Sequence, residues 1–216
     1  MTKLFLILVV VCIVVQTVSS NEVWFPVFVA FEGNGKSVYD AWRSQSECNP
    51  LPTSLEQSVL SVISETVLWM AGIMQIYECM LKKYDFYNSQ VKVEFFKNNQ
   101  VVAWMTFNGR NTDKMNWFSK SNLAQSSFND LGSRSTFNYF SIAGDHQRKF
   151  YVNQNYGGCA KDQGWMYVLD QIRGCPYERI GSIPMFLYTK NFTDRNWTRN
   201  MAQPADMMVI SVLAEL

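Results

Sequence analysis

Between Phe150 and Cys175 two apolar runs flank a glycine pair, Gly157-Gly158, and a cysteine stands at either end of the second run. The first run is Phe150-Tyr-Val-Asn153 and the second Gly164-Trp-Met-Tyr-Val-Leu-Asp170. Apolar runs of this length around a glycine turn read as a β-hairpin, and the period-2 rule places Trp165, Tyr167 and Leu169 on one face. Cysteines at both ends suit a covalent clamp on that hairpin. Few other arrangements accommodate so rigid a segment.

A clamp of this kind requires an oxidising compartment, and the first residues supply one. Lys3 forms a short positive region, Leu4 to Val15 is an unbroken apolar run, and Val18-Ser19-Ser20 offers small residues before Asn21. That is the pattern of a secretory signal peptide cleaved after Ser20. Its apolar run is shorter than the roughly 20 residues a membrane-spanning helix needs. The expectation is a secreted, extracellular chain, residues 21–216, with no transmembrane segment.

Cleavage removes Cys12, so the five cysteines become four: Cys48, Cys79, Cys159 and Cys175. Four cysteines in an exported chain imply two disulfides and allow three pairings. Nearest-neighbour pairing favours Cys48 with Cys79 and Cys159 with Cys175. A loop the size of the second contributes about 3 kcal/mol in the chain-entropy picture.

Lys3 leaves as well, so 19 basic residues become 18, against 18 acidic ones. A balance near zero argues against nucleic acid as a partner and against simple electrostatic capture by anionic membranes. With 48% hydrophobic and 15% aromatic residues the chain buries a sizeable core, and one domain is the default.

Taken in order, Val23 to Phe31 is a strand candidate that Pro26 assigns to an edge or a bulge. Gly33-Asn34-Gly35 turns the chain, and Ser37 caps a short helix through Trp42. Thr53 and Glu56 form a capping box ahead of Leu55, Val59, Val62, Thr66, Met70, Ile73, Tyr77, Met80 and Tyr84, an apolar stripe at helical spacing. This predicts one or two helices over residues 55–84. From Gln90 onward the pattern is extended: 91–96 and 101–107 around Asn98-Asn99, then 138–142, 149–152, 165–170, 183–188 and 207–213. The fold class expected is mostly β with one or two helices, an antiparallel sandwich or a jelly-roll-like single domain.

Motifs for chemistry are sparse. Ala30-Phe-Glu-Gly-Asn-Gly-Lys-Ser37 follows a strand and precedes a helix, as a phosphate loop does, but Ala30 replaces the first glycine and no alternating β/α context surrounds it. A turn before a capped helix is the better reading. His146 is the single histidine, in a charged turn, and no Gly-x-Ser-x-Gly elbow is present, so nucleophilic catalysis has little support. One histidine and four paired cysteines leave too few ligands for zinc. We therefore expect no metal, no cofactor and no assigned catalytic residue. Asp113, Asp130, Asp145, Asp162 and Asp170 lie in or beside loops, where two could meet as a glycosidase pair, or could hold calcium without any twelve-residue signature.

Recognition chemistry is better represented. Trp117, Tyr156, Trp165 and Trp197 sit in or beside loops and could form a sugar-stacking platform, although such rings equally serve as core anchors. Asn191-Phe-Thr193 and Asn196-Trp-Thr198 are two glycosylation sequons on one polar stretch. The apolar stripe of 55–84 could act on membranes, but it lacks the basic flanks of interfacial helices.

Seven blocks in fixed order, Phe107-Asn-Gly-Arg110, Lys114-Met-Asn-Trp-Phe-Ser119, Asn138-Tyr-Phe-Ser-Ile142, Arg148-Lys-Phe-Tyr-Val-Asn153, Asn155-Tyr-Gly-Gly-Cys159, Gly164-Trp-Met166 and Pro184-Met-Phe-Leu-Tyr188, resemble an uncharacterised family of secreted invertebrate domains. The resemblance covers Val91 to Val212. It implies an extracellular location and a disulfide between Cys159 and Cys175, and supplies no activity. The reading from sequence is a secreted binding or matrix protein, lectin-like, recognising an extracellular glycan or protein. A hydrolase using loop carboxylates and a membrane-active protein stand behind it.

Overall fold

Asn98 and Asn99 both adopt positive φ, 49° and 63°, and they join two strands in a two-residue turn. Asparagine tolerates this conformation, and the resulting turn matches the natural twist of paired strands. In a computed structural model that describes residues 22–44, 89–132, 136–172, 174–190 and 196–215, this hairpin forms the middle of one of two antiparallel sheets. The strands are β1 (Glu22–Phe31), β2 (Gln90–Lys97), β3 (Gln100–Asn108), β4 (Leu123–Ser126), β5 (Tyr139–Ser141), β6 (Arg148–Asn155), β7 (Gln163–Leu169), β8 (Met185–Thr189), β9 (Ala202–Ala205) and β10 (Met207–Glu215). The first sheet runs β1-β10-β2-β3-β4 and the second β5-β6-β7-β8-β9.

The main core lies between the sheets. Val93, Phe95, Met105 and Ile210 come from the first, and Phe150, Val152, Met166, Val168 and Phe186 from the second, all within one buried cluster. The fold is thus a mostly β, sandwich-like single domain, as the strand pattern predicts. One six-residue helix, α1 (Val38–Arg43), closes one edge of it with Trp42 buried. Ser37 caps α1, its side chain accepting from the Asp40 N–H. Pro26 sits where expected, on an edge strand next to a register shift between Pro26 and Phe28. No helix among the described residues is long and apolar enough to cross a membrane. Residues 1–21, where the sequence pattern suggests a signal peptide, the stripe of 55–84, Cys48, Cys79 and Asn191 fall outside the described residues.

Two of the three register shifts between β6 and β7 set the faces of the second sheet. On β6 the three-residue step from Lys149 to Val152 faces the two-residue step from Val168 to Met166 on β7, and Phe150 takes φ 44°. This extra residue brings Arg148 and Tyr151 onto one side, where strict alternation would separate them. On β7 the reverse happens: the step from Val152 to Asn153 faces the two-residue step from Met166 to Gly164, leaving Trp165 as the extra residue. Trp165 therefore joins Met166 and Val168 in the main core, while Tyr167 and Leu169 enter a second cluster on the opposite face. The single-face placement of Trp165, Tyr167 and Leu169 is corrected by this bulge. Gly164 is required beside it, because a Cβ there would lie 2.8 Å from the Val152 carbonyl oxygen and 2.9 Å from the Asn153 Cα.

Candidate functional site

The second sheet carries a charged cluster on the face turned away from the main core. Arg148, at the start of β6, is 3% exposed, and Asp162 and Glu178 are fully buried. Its Nε and Nη2 donate to Glu178 Oε1 at 2.8 and 2.6 Å, and Nη1 donates to Asp162 Oδ2. Both oxygens of Asp162 are engaged, since Tyr177 Oη donates to Oδ2 and Tyr151 Oη to Oδ1. Asn153 Nδ2 in turn donates to Tyr151 Oη at 3.0 Å. The rings of Tyr151, Tyr156, Tyr167 and Tyr177 lie 5.8, 5.2, 5.5 and 5.7 Å from the guanidinium carbon.

A guanidinium supports this network because its planar fork reaches two carboxylates and several phenols at once. Burial alone would lower the Arg148 pKa. The surrounding Tyr167, Tyr151, Asp162 and Tyr177 oxygens overcome that and raise it, so the group stays charged. Burial pushes the Asp162 carboxyl above its ordinary value despite the donors from Tyr177, Arg148 and Tyr151. Burial likewise raises Tyr151, Tyr167 and Tyr177, so the phenols stay protonated, and Tyr151 and Tyr177 donate to Asp162.

The disulfide stands against this cluster. Cys159 and Cys175 are bonded, and both belong to the second cluster with Tyr151, Tyr167, Tyr177 and Trp197. Cys175 is the N-cap of a 3-10 turn, Pro176–Arg179, its carbonyl accepting from the Glu178 N–H at 3.0 Å. Arg148 Nη2 donates to the Cys175 sulfur at 3.5 Å. Glu178 Oε2 closes the turn by accepting from the Gly174 and Cys175 N–H groups at 3.0 and 3.2 Å. The Cys159–Cys175 bond of the favoured pairing is thereby observed.

The remaining expected residues separate. Trp117, Trp165 and Trp197 are 0%, 1% and 1% exposed. They are core anchors, and the four-ring platform is corrected: Trp117 packs on Phe107 and Phe118, Trp165 on Phe137, and Trp197 on Tyr167. Tyr156 alone of the four is exposed, at 44%. It follows Gln154 and Asn155, also exposed, at the tip of the β6–β7 hairpin. Asn196, read from sequence as lying on an exposed polar stretch, is 6% exposed. Its Nδ2 donates to the Ala160 carbonyl and its Oδ1 accepts from Thr198 N–H, so the side chain has a structural task.

The aspartates also disperse. Asp113 accepts from the Met115 and Asn116 N–H groups, Asp130 from Trp165 Nε1, and Asp145 lies against the exposed ring of His146. Asp170 accepts from Ser37 Oγ and from the Val38 and Tyr39 N–H groups. The donors that a phosphate loop would offer an anion are here given to a carboxylate of the same chain. Among the described residues no group of three or more His, Cys, Asp or Glu side chains could hold a metal ion.

Sequence reasoning missed Arg148 and Glu178 altogether. The alternating Tyr151, Asn153 and Tyr167 are visible in the sequence, but the bulge that delivers Arg148 to their side is not. Compared with family models, with curated proteins and with solved structures, the chain matches none of them.

Proposed function

We propose that this protein is a secreted recognition module, lectin-like, that binds an extracellular glycan or protein through the tip of the β6–β7 hairpin. The observation that carries the reading is Tyr156, exposed beside the amides of Gln154 and Asn155 and held three residues from a disulfide. An aromatic ring beside amide donors and acceptors is the chemistry that packs on a sugar face and hydrogen-bonds its hydroxyls. Fixing the ring in advance limits the ordering entropy that binding costs. The carboxylates best placed for hydrolysis, Asp162 and Glu178, are sealed and spend their lone pairs on Arg148, Tyr151, Tyr177 and the turn at Cys175, which favours recognition over chemistry at that cluster.

The test is retention of the secreted protein on a glycan array and on immobilised extracellular matrix, beside the Tyr156→Ala variant. We expect binding by the native protein and loss of at least about tenfold in affinity, roughly 1.4 kcal/mol, for the variant at unchanged melting temperature. Absence of binding to both surfaces, or binding that Tyr156→Ala leaves intact, overturns the proposal.

A further inference from the structure

The two sulfurs of the Cys159–Cys175 bond occupy unequal environments. Cys159 is partly exposed at the end of the hairpin turn, whereas Cys175 is 5% exposed. Cys175 Sγ accepts from the Arg148 guanidinium, Nη2 lying 3.5 Å away. No described hydrogen bond reaches Cys159 Sγ. A thiolate at Cys175 would be born beside a cationic donor, and in thiol–disulfide exchange the better-stabilised thiolate is the better leaving group.

We propose that this disulfide is a polarised exchange site, in which an external thiol attacks Cys159 Sγ and Cys175 Sγ departs as the thiolate. With a dithiol, the first reductant thiolate forms a bond to Cys159 Sγ while the Cys159–Cys175 bond breaks, its electron pair passing to Cys175. The second thiol loses its proton to solvent and attacks the reductant sulfur of the mixed disulfide, expelling Cys159, which takes up a proton. The reductant becomes a disulfide and the protein gains two electrons.

The groups around the departing sulfur come from four elements: Arg148 and Tyr151 from β6, Asp162 from the segment before β7, Tyr167 from β7, and Tyr177 and Glu178 from the 3-10 turn. Asp162 and Glu178 already draw on the same guanidinium and oppose a third negative charge. Reduction frees the 3-10 turn from the hairpin tip that carries Tyr156.

Two measurements decide the matter. The native protein is treated briefly with reduced glutathione, quenched in acid and alkylated, and peptide mapping locates the glutathione. We expect it on Cys159 over Cys175 by at least about tenfold, the effect of one unit of thiol pKa. The Cys159→Ser variant is titrated by its ultraviolet thiolate absorbance, with Cys175→Ser as the comparison. Cys175 should titrate at least about one unit below the ordinary thiol value near 8.5, and Cys159 close to that value. Glutathione found equally on both sulfurs or mainly on Cys175 overturns the proposal, as does a Cys175 midpoint at or above that of Cys159. If Cys159→Ser does not fold, the glutathione map on the native protein decides alone.

Discussion

The Asp206 carboxylate accepts a hydrogen bond from the Lys97 ammonium at 2.7 Å, across the corner where the chain leaves the second sheet and enters the first. Asp206 is the one residue between β9 and β10. Its second oxygen accepts from the Asn98 N–H at 2.7 Å, its N–H donates to the Phe96 carbonyl, and its carbonyl accepts from Glu32. One residue thus ties the corner to the β2–β3 turn and to the end of β1. Burial would raise the Asp206 pKa, but the Lys97 and Asn98 donors and the Lys97 charge bring it below its ordinary value.

A carboxylate depressed in the folded state contributes stability present above the unfolded value, near 3.9, and lost as pH falls through the folded one. Asp206→Asn should therefore cost most at neutral pH and progressively less in acid. The side chains are 45% and 36% exposed, so the pair is screened and the loss should be about 0.2 to 1 kcal/mol. Chemical unfolding of both proteins at several pH values checks this, and a cost that grows on acidification refutes it.

Gly164 gives a second prediction. Its missing side chain lets β6 and β7 approach at the bulge, so Gly164→Ala forces the Val152 and Asn153 backbone outward. Overpacking of this kind costs about 1 to 3 kcal/mol. The same change at Gly132, where a Cβ meets nothing within 4 Å, should be close to neutral. Melting temperatures of the two variants provide the comparison, and equal losses would contradict the assigned close approach.

Asn196 leads to a prediction about modification. Its amide nitrogen, the atom a glycan would occupy, faces the Ala160 carbonyl at 2.9 Å, and the residue is 6% exposed. Glycopeptide mapping of the protein expressed through a eukaryotic secretory pathway should find Asn196 bare. A fully occupied Asn196 in folded material would show that the segment after residue 195 packs differently from the arrangement described.

How much of this was legible beforehand depended on whether the pattern was local. Val91 to Phe107 alternates regularly around Asn98-Asn99, and both strands and their turn form where expected, with only a single-residue irregularity at Phe96. Ser37 caps its helix because capping needs only neighbouring residues. The hairpin at Cys159 was equally visible, yet the sides its residues face were not. A bulge depends on packing between sheets, so neither the Phe150 kink nor the displaced Trp165 leaves a mark in a period-2 pattern. The aromatic loop residues failed for a related reason: tryptophan serves sugar binding and core anchoring equally, and only burial separates the two. Arg148 looked like one more charge in a polar turn, Gly144 to Lys149, until the fold surrounded it with tyrosines.

That cluster supplies the last prediction. Removing Arg148 strands two carboxylates with no exposed surface, and breaking a buried ion pair by taking one partner costs about 3 to 5 kcal/mol. Arg148→Met should lose stability on that scale with the disulfide intact. Asp162 behaves differently with pH. Its folded value is raised by burial, so its contribution is fully present below the unfolded carboxylate value and is lost as pH rises through the folded one. The Asp162→Asn variant, neutral at every pH, should therefore gain on the native protein as pH rises from strongly acidic toward neutral. Denaturant midpoints for the two proteins across that range give the sign directly. Should the native protein gain instead, the attraction of Arg148 for Asp162 outweighs the cost of burying the carboxylate, and the order of effects within the cluster is reversed.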